Sequence, residues 1–308
     1  MKKVIVLGSL NMDLSINSDY MPKKGETING YDFLINPGGK GGNQAVAAAK
    51  LGADTRMIAN VGNDIFGQEI LNKLKEYGVC TDDISISKFD STGVAVIICC
   101  DHDNRIILGN GANHTLTFSM VKERLDAIAE EGDIFLTQLE NDFQVVDASI
   151  RYAKKKGLYT ILNPAPARVL EEDLYNYLDL IVVNQSECQL LTGIYPNDDE
   201  SCIKGLQAFE NRGAKAIITL GAHGSITQME DTPVFVDSRK VETVDTTGAG
   251  DSYIGALCAC LAKDMPVKEA LEFSTKVAAI TVTRRGAQVS IPYTEEVESY
   301  FKEEKTHE

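Results

Sequence analysis

Short apolar runs alternate with amphipathic stretches along most of this chain. Residues 4–7, 134–136, 159–162, 180–183 and 216–220 each read as a buried strand, rich in Val, Ile and Leu and closed by a polar or glycine turn. Apolar positions recur at helical spacing over 64–77, 117–130, 143–155 and 201–212, with Gly78 and Gly157 as stops. Repeated strand–helix units predict an α/β fold, a doubly wound and mostly parallel sheet with helices on both faces. A hairpin is expected from 225–228 and 234–236, and a solvated terminal helix from the acidic stretch 295–308.

Two regions break that rhythm. Residues 15–17 and 27–35 read as modest strands separated by Pro22 and Gly25, where a crossover helix would otherwise follow. Residues 91–100 and 105–110 form a second pair across 101–104. Together, 14–37 and 89–110 predict a small antiparallel β-sheet, a lid on a core made of 1–13, 38–88 and 111–308.

Between the two pairs lies Pro37-Gly38-Gly39-Lys40-Gly41-Gly42-Asn43-Gln44, leading into a helix expected over 45–51. That helix is small and apolar almost all round, so it should be buried. The entrance is not a Walker A loop, because no Ser or Thr follows Lys40 and position 34 is Leu. A simple glycine turn leaves Lys40 and Asn43 without a purpose.

Residues 241–251 predict a short strand holding Val241 and Val244, a turn at Gly248 and Gly250, and a helix carrying Tyr253, Ala256, Leu257, Cys260 and Leu261. The amides of Ala249 and Gly250 would then be free at a helix N-terminus, which favours anions. Asp251 is either an ordinary N-cap or a carboxylate that accepts a proton there. Polar residues also close the other apolar runs: Asn11 and Asp13, Glu140, Asn184 and Glu187, and Thr219. Open α/β sheets bind ligands at that edge.

The net charge of −15 argues against nucleic acid or an anionic membrane as partner, though not against a phosphorylated ligand met by local positive charge. Seven cysteines without C-x-x-C spacing read as thiols in a reducing compartment. The first apolar run is too short for a signal peptide, and no run is long enough to span a membrane. A cytoplasmic protein is expected. The first βα turn lacks G-x-G-x-x-G, which argues against a nicotinamide enzyme.

Asn11-Met12-Asp13, the run from Gly38 to Ala45, Asn163-Pro164-Ala165-Pro166, Asn184 with Glu187, Asp245-Thr246-Thr247-Gly248-Ala249-Gly250-Asp251, and Thr283-Arg284-Arg285-Gly286-Ala287-Gln288 occur together. With them the chain resembles the ribokinase-like family of ATP-dependent sugar kinases, from about residue 4 to residue 292. The resemblance implies phosphorylation of the 5-hydroxyl of ribose. Deoxyribose, another furanose or a nucleoside are the alternatives, and a sensor that has lost catalysis is a remote one. It implies Asp251 as the base and Gly248, Ala249 and Gly250 as the anion hole. Asn11, Met12, Asp13, Gly39, Lys40, Gly41, Gly42, Asn43 and Glu140 would hold the sugar. Asn184 would meet the nucleotide phosphates, with Glu187 acting through water on Mg²⁺. Thr219, Leu220, Gly221, Ala222, His223, Gly224 and Thr275 would line the ATP pocket. A monovalent cation, K⁺, would sit among Asp245, Thr247, Thr281, Arg284, Gly286 and Ser290. The lid would pair with a second copy, giving a homodimer. Thr247 and Gly248 depart from the subfamily pattern of a bulkier apolar residue followed by Ala, although Gly248 matches the wider family.

Overall fold

The aliphatic runs have no polar face to turn toward water, so they occupy the middle of a sheet covered on both sides. The computed structural model describes residues 1–304, apart from residues 102 and 231. In chain order the strands are β1 (Lys3–Leu7), β2 (Asn11–Asn17), β3 (Tyr31–Gly38), β4 (Asp54–Gly62), β5 (Ile84–Ser87), β6 (Gly93–Cys100), β7 (Asp103–Gly109), β8 (Ile134–Thr137), β9 (Tyr159–Leu162), β10 (Leu180–Asn184), β11 (Lys215–Thr219), β12 (Ser225–Met229) and β13 (Thr232–Val236). The helices are α1 (Lys40–Lys50), α2 (Ile65–Glu76), α3 (Phe118–Ile128), α4 (Phe143–Lys155), α5 (Gln185–Thr192), α6 (Asp199–Glu210), α7 (Ala249–Ala262), α8 (Val267–Thr281) and α9 (Thr294–Glu304).

The large sheet has the order β13-β12-β11-β10-β9-β8-β1-β4-β5. It is parallel from β5 through β11, and the β12–β13 hairpin closes its other edge antiparallel. Alternate side chains feed two separate cores, as the period of two in a strand requires. Val4 and Val6 pack with α1, α2, α7 and α8. Ile5 and Leu7 pack with α3, α4, α5 and α6. The doubly wound architecture read from the pattern is therefore present.

Four elements had no counterpart in the pattern: β4, β5, α5 and α8. The start of α5 is nonetheless written locally. Asn184 and Glu187 form a reciprocal capping box, with Glu187 N–H donating to Asn184 Oδ1 at 2.8 Å and Asn184 N–H to Glu187 Oε2 at 2.9 Å. At the chain's end α9 begins at Thr294, and residues 305–308 of the expected helix lie outside the described residues.

The small sheet has the order β3-β2-β6-β7. Each hairpin is antiparallel, but β2 and β6 pair in parallel, so the sheet is mixed rather than wholly antiparallel. Both hairpins leave the core in the same direction, and their first strands lie side by side. The strands also reach closer to the core than expected: β2 begins at Asn11 and β3 ends at Gly38. The turn between β6 and β7 includes residue 102, outside the described residues.

Two local expectations fail for packing reasons. Helix α1 starts at Lys40, five residues before its predicted start, although Gly41 and Gly42 are poor helix formers. A Cβ on Gly41 would lie 2.6 Å from Gly8 Cα and from Ser9 N, so only glycine lets this turn lie against the end of β1. Residues 241–244 form no strand. Val244 N–H and Asp245 N–H both donate to the Val282 carbonyl at the end of α8, which takes this segment away from the sheet. No described helix is long and apolar enough to cross a membrane.

Candidate active site

The N-termini of α1 and α7 meet at Asp251. The N-cap of α7 is Gly248, at φ 75°, with no side-chain cap bond. Asp251 thus stands in the first turn rather than at the cap, which removes the ordinary capping reading. Its carboxylate is buried and accepts from Asn43 Nδ2 and from Gln44 Nε2, each at 2.9 Å and each on a different oxygen. Gln44 in turn accepts from Gln138 Nε2 at 2.6 Å, and its own Nε2 also reaches Asn163 Oδ1 at 3.1 Å. The plane of the Asp251 carboxylate is therefore set by amides from α1 and the ends of β8 and β9. What permits this is a close crossing of α1 and α7. A Cβ on Gly255 would stand 2.4 Å from Ala47 Cβ and 2.5 Å from the Gln44 carbonyl.

On one side of Asp251 lie two half-buried carboxyls, Asp13 and Glu140. Burial pushes the Asp13 carboxyl up to about 7, and the negative charges of Glu140 and Asp251 push it the same way. Asn11 is buried and accepts from Asn113 Nδ2 at 2.8 Å. Glu140 accepts from the Lys40 amide at 3.0 Å and from the Ser9 hydroxyl. The negative charge of Asp251 raises the Lys40 ammonium above its ordinary value against the cost of burial, with Glu140 and Glu187 adding to it. Carboxylates, amides and one ammonium around a small space suit a polyhydroxylated ligand, since each offers more than one directional hydrogen bond.

On the other side a cleft of about 240 Å³ is lined by Lys40, Asn184, Glu187, Thr246, Gly248, Ala249, Gly250 and Asp251, among others. Nothing stands within 4 Å of where a Gly250 Cβ would project. Burial raises the Glu187 carboxyl, offset in part by the Asn184 amide and the charge of Lys40. The cleft opens into a pocket of about 500 Å³, sharing Thr219, Thr246, Ala249 and Gly250 with it. At the start of α7 the Ala249 amide is not free as expected, since it donates to the Thr246 carbonyl at 3.2 Å. A site with hydroxyl-binding groups at one end, a helix N-terminus in the middle and an elongated, partly apolar pocket at the other can transfer a group between two bound molecules.

Residues 1–294 match the pfkB family carbohydrate kinase model. The chain belongs to the pfkB family of carbohydrate kinases. It is similar to the ribokinase of Haemophilus influenzae, with 37% identity over 303 residues that cover 98% of this chain and 99% of that one. It is also similar to the deoxyribokinase of Salmonella typhi, at 34% identity over 97% of this chain and 98% of that one. Among solved structures, the Arabidopsis thaliana ribokinase complexed with ribose and ATP superposes with a TM-score of 0.88 at 27% identity, covering 97% of this chain and 98% of the other. The chain is an ATP-dependent sugar kinase, and the architecture read from the sequence is the one these relatives share.

The kinase brings most of the residues singled out from its sequence into one line. Asn11, Asp13, Lys40, Asn43 and Glu140 gather on the carboxyl-rich side of Asp251, with Gly39, Gly41 and Gly42 forming the backbone entry to α1. Met12 instead turns into the core. Gly221, Ala222, Gly224 and Thr275 line the larger pocket; Leu220 packs into the core and His223 faces solvent. Asp245 ties Thr247 and Gly286 together, accepting from their amides at 2.9 and 3.0 Å. Burial alone would raise its carboxyl, but these amide bonds hold it below the usual range. The side chains of Thr281 and Ser290 bond to nearby carbonyls, and Arg284 pairs with Glu296 at 2.8 Å. Sequence reasoning assigned no role to Gln44, Gln138 or Asn113. Gln44 carried the one available signal, a polar amide inside a helix that is otherwise small and apolar.

Proposed function

We propose that this kinase transfers the γ-phosphoryl group of ATP to the 5-hydroxyl of ribose, giving ribose 5-phosphate and ADP. The observation that carries the reading is Asp251, held by Asn43 and Gln44 at the junction of the hydroxyl-binding space and the cleft lined by Gly248–Gly250. Ribose lies across Asn11, Asp13, Asn43 and Glu140, with Gly39, Lys40, Gly41 and Gly42 beneath it. Its 5-hydroxyl gives its proton to Asp251 as the new O–P bond forms. The bond between Pγ and the β–γ bridging oxygen breaks, and ADP leaves. The amides at Gly248, Ala249 and Gly250 and the Lys40 ammonium stabilise charge on the moving group, which is where most catalysis of phosphoryl transfer lies.

ATP occupies the pocket lined by Thr219, Gly221, Ala222, Gly224 and Thr275, with its phosphates toward Asn184. Glu187 and Asn184 suit Mg²⁺ held through water, because Glu187 is a buried carboxylate on the cleft wall. Bound there, Mg²⁺ would neutralise phosphate charge. The turn that Asp245 ties to Thr247 and Gly286, with Thr281, Arg284 and Ser290 close by in sequence, is read as the K⁺ site, carboxylate and carbonyl oxygens being the ligands such an ion takes. The small sheet is read as a lid and as the face of a homodimer, since Phe33, Ile35, Ile106 and Ile107 are exposed on it by half or more. Deoxyribose is the second reading, favoured by the likeness to a deoxyribokinase.

A substrate panel tests the proposal: turnover of ribose, 2-deoxyribose, fructose and adenosine, each with and without potassium. Ribose should be preferred. A tenfold preference for any other substrate refutes the assignment, and indifference to potassium refutes the cation site.

A further inference from the structure

Lys50 ends α1 and is 6% exposed, with no carboxylate at ion-pair distance among the described residues. A buried ammonium without a counter-ion is costly unless something else satisfies it. Its Nζ donates to the carbonyls of Gln288 at 2.8 Å and Ile291 at 2.9 Å. The rings of Tyr77 and Tyr293 lie 4.2 and 5.0 Å away, close enough for cation–π attraction. Both carbonyls belong to one turn, residues 286–291.

That turn is wedged between α1 and the start of α7. Its other support on α1 is Gly42, where an added Cβ would stand 3.0 Å from Gln288 Nε2. On its far side, Ala287 Cα lies 3.3 Å from where a Cβ on Gly248 would be, and the Gly286 amide donates to Asp245. The floor under the N-cap of α7 is thus the turn that Lys50 holds.

We infer that Lys50 is a positioning residue: it clamps the 286–291 turn against α1 and so sets where the Gly248–Gly250 amides stand relative to Asp251. An ammonium is suited to this because one atom carries three donors and can serve two carbonyls at once. Met, of similar length, has no donor to offer either carbonyl. Helix α1 then acts on the site from both ends, through Asn43 and Gln44 on Asp251 and through Lys50 on the turn. The link to catalysis rests on the reading that these amides receive the phosphoryl group.

The test compares wild type, Lys50→Met and Lys50→Arg by deuterium uptake over 245–251 and by steady-state kinetics. In Lys50→Met, uptake there should rise about tenfold through local opening. Its kcat should fall about 10–100-fold, the scale of small misplacements, with the KM for sugar within about twofold. Lys50→Arg should recover most of the kcat. Unchanged uptake in folded Lys50→Met overturns the inference, whatever the kinetics. Faster uptake with unchanged kcat upholds the clamp and refutes the anion-hole role of the amides. If Lys50→Met does not fold, Lys50→Gln, one atom shorter and uncharged, takes its place in the uptake measurement. Faster uptake over 245–251 in that variant upholds the clamp, and unchanged uptake overturns it.

Discussion

Replacing Asp13 with Asn should stabilise the sugar-free protein at high pH while weakening its hold on sugar. Burial first, and then the charges of Glu140 and Asp251, push the Asp13 carboxyl up to about 7, against an ordinary value of 3.8. The folded chain therefore binds this proton more tightly than the unfolded chain does. That stabilisation is complete below about pH 4 and is lost as pH rises to about 7, amounting to roughly 4 kcal/mol in all. Between pH 5 and pH 8 the loss is roughly 2–3 kcal/mol. Asn resembles the neutral carboxyl at every pH and avoids that loss. Urea unfolding of both proteins without sugar, at pH 5 and pH 8, isolates the effect, because every other titrating group is common to the two. The advantage of Asp13→Asn should grow by about 1–3 kcal/mol from pH 5 to pH 8. Sugar affinity should fall about 10–100-fold, the value of a charge-assisted hydrogen bond. If the difference in unfolding free energy is the same at both pH values, Asp13 is not a strained carboxyl and the physical account of its surroundings is wrong. If it grows as expected, the empty site holds a carboxyl whose charged form is disfavoured first by burial and then by its like-charged neighbours.

Asp251→Asn should lower kcat by about 10²–10⁴, as expected for a lost proton acceptor, and near-normal turnover would remove Asp251 from that role. Because both oxygens of Asp251 accept from amides, the new NH₂ group must face a donor, so a stability loss of about 1–3 kcal/mol should accompany it in urea unfolding. Gly255→Ala puts a methyl 2.4 Å from Ala47 Cβ. It should cost about 1–3 kcal/mol and lower kcat by moving Gln44 away from Asp251; an unaffected kcat would show that the α1–α7 crossing does not set the carboxylate. If the small sheet is a dimer face as proposed, Ile107→Asp, on exposed β7, should yield monomers in sedimentation analysis where the parent protein sediments as a dimer; a monomeric parent or a persistent dimer would refute that face.

Most of the parallel frame could be read directly, because its strands are short, aliphatic and buried on both faces. Val4–Leu7 needs no partner information to be a central strand. The positions of Asn11, Asp13, Glu140, Asn184 and Thr219 followed from the rule that ligands bind past the ends of such strands. The hairpins of the small sheet were visible as two pairs, but the parallel pairing of β2 with β6 was not. Pairing direction depends on where each hairpin leaves the core. The failures have one cause in common, a neighbour distant in sequence. Helix α1 begins among glycines because Gly8 and Ser9 leave no room for a side chain, and residues 241–244 leave the sheet because Val282 offers them a carbonyl.

The stretch around Asp251 shows the division most clearly. Its sequence alone determined a glycine turn, a helix behind it and a carboxylate in the first turn, since glycine placement and helical periodicity are local properties. Whether that carboxylate capped the helix was decided by tertiary structure. Gly248 took the cap, and amides from α1 took both carboxylate oxygens. Those donors, Asn43 and Gln44, lie 208 and 207 residues away along the chain. The spacing of residues within one stretch carries no trace of a partner that far off. Only the close crossing of two small-residue helices brings it there.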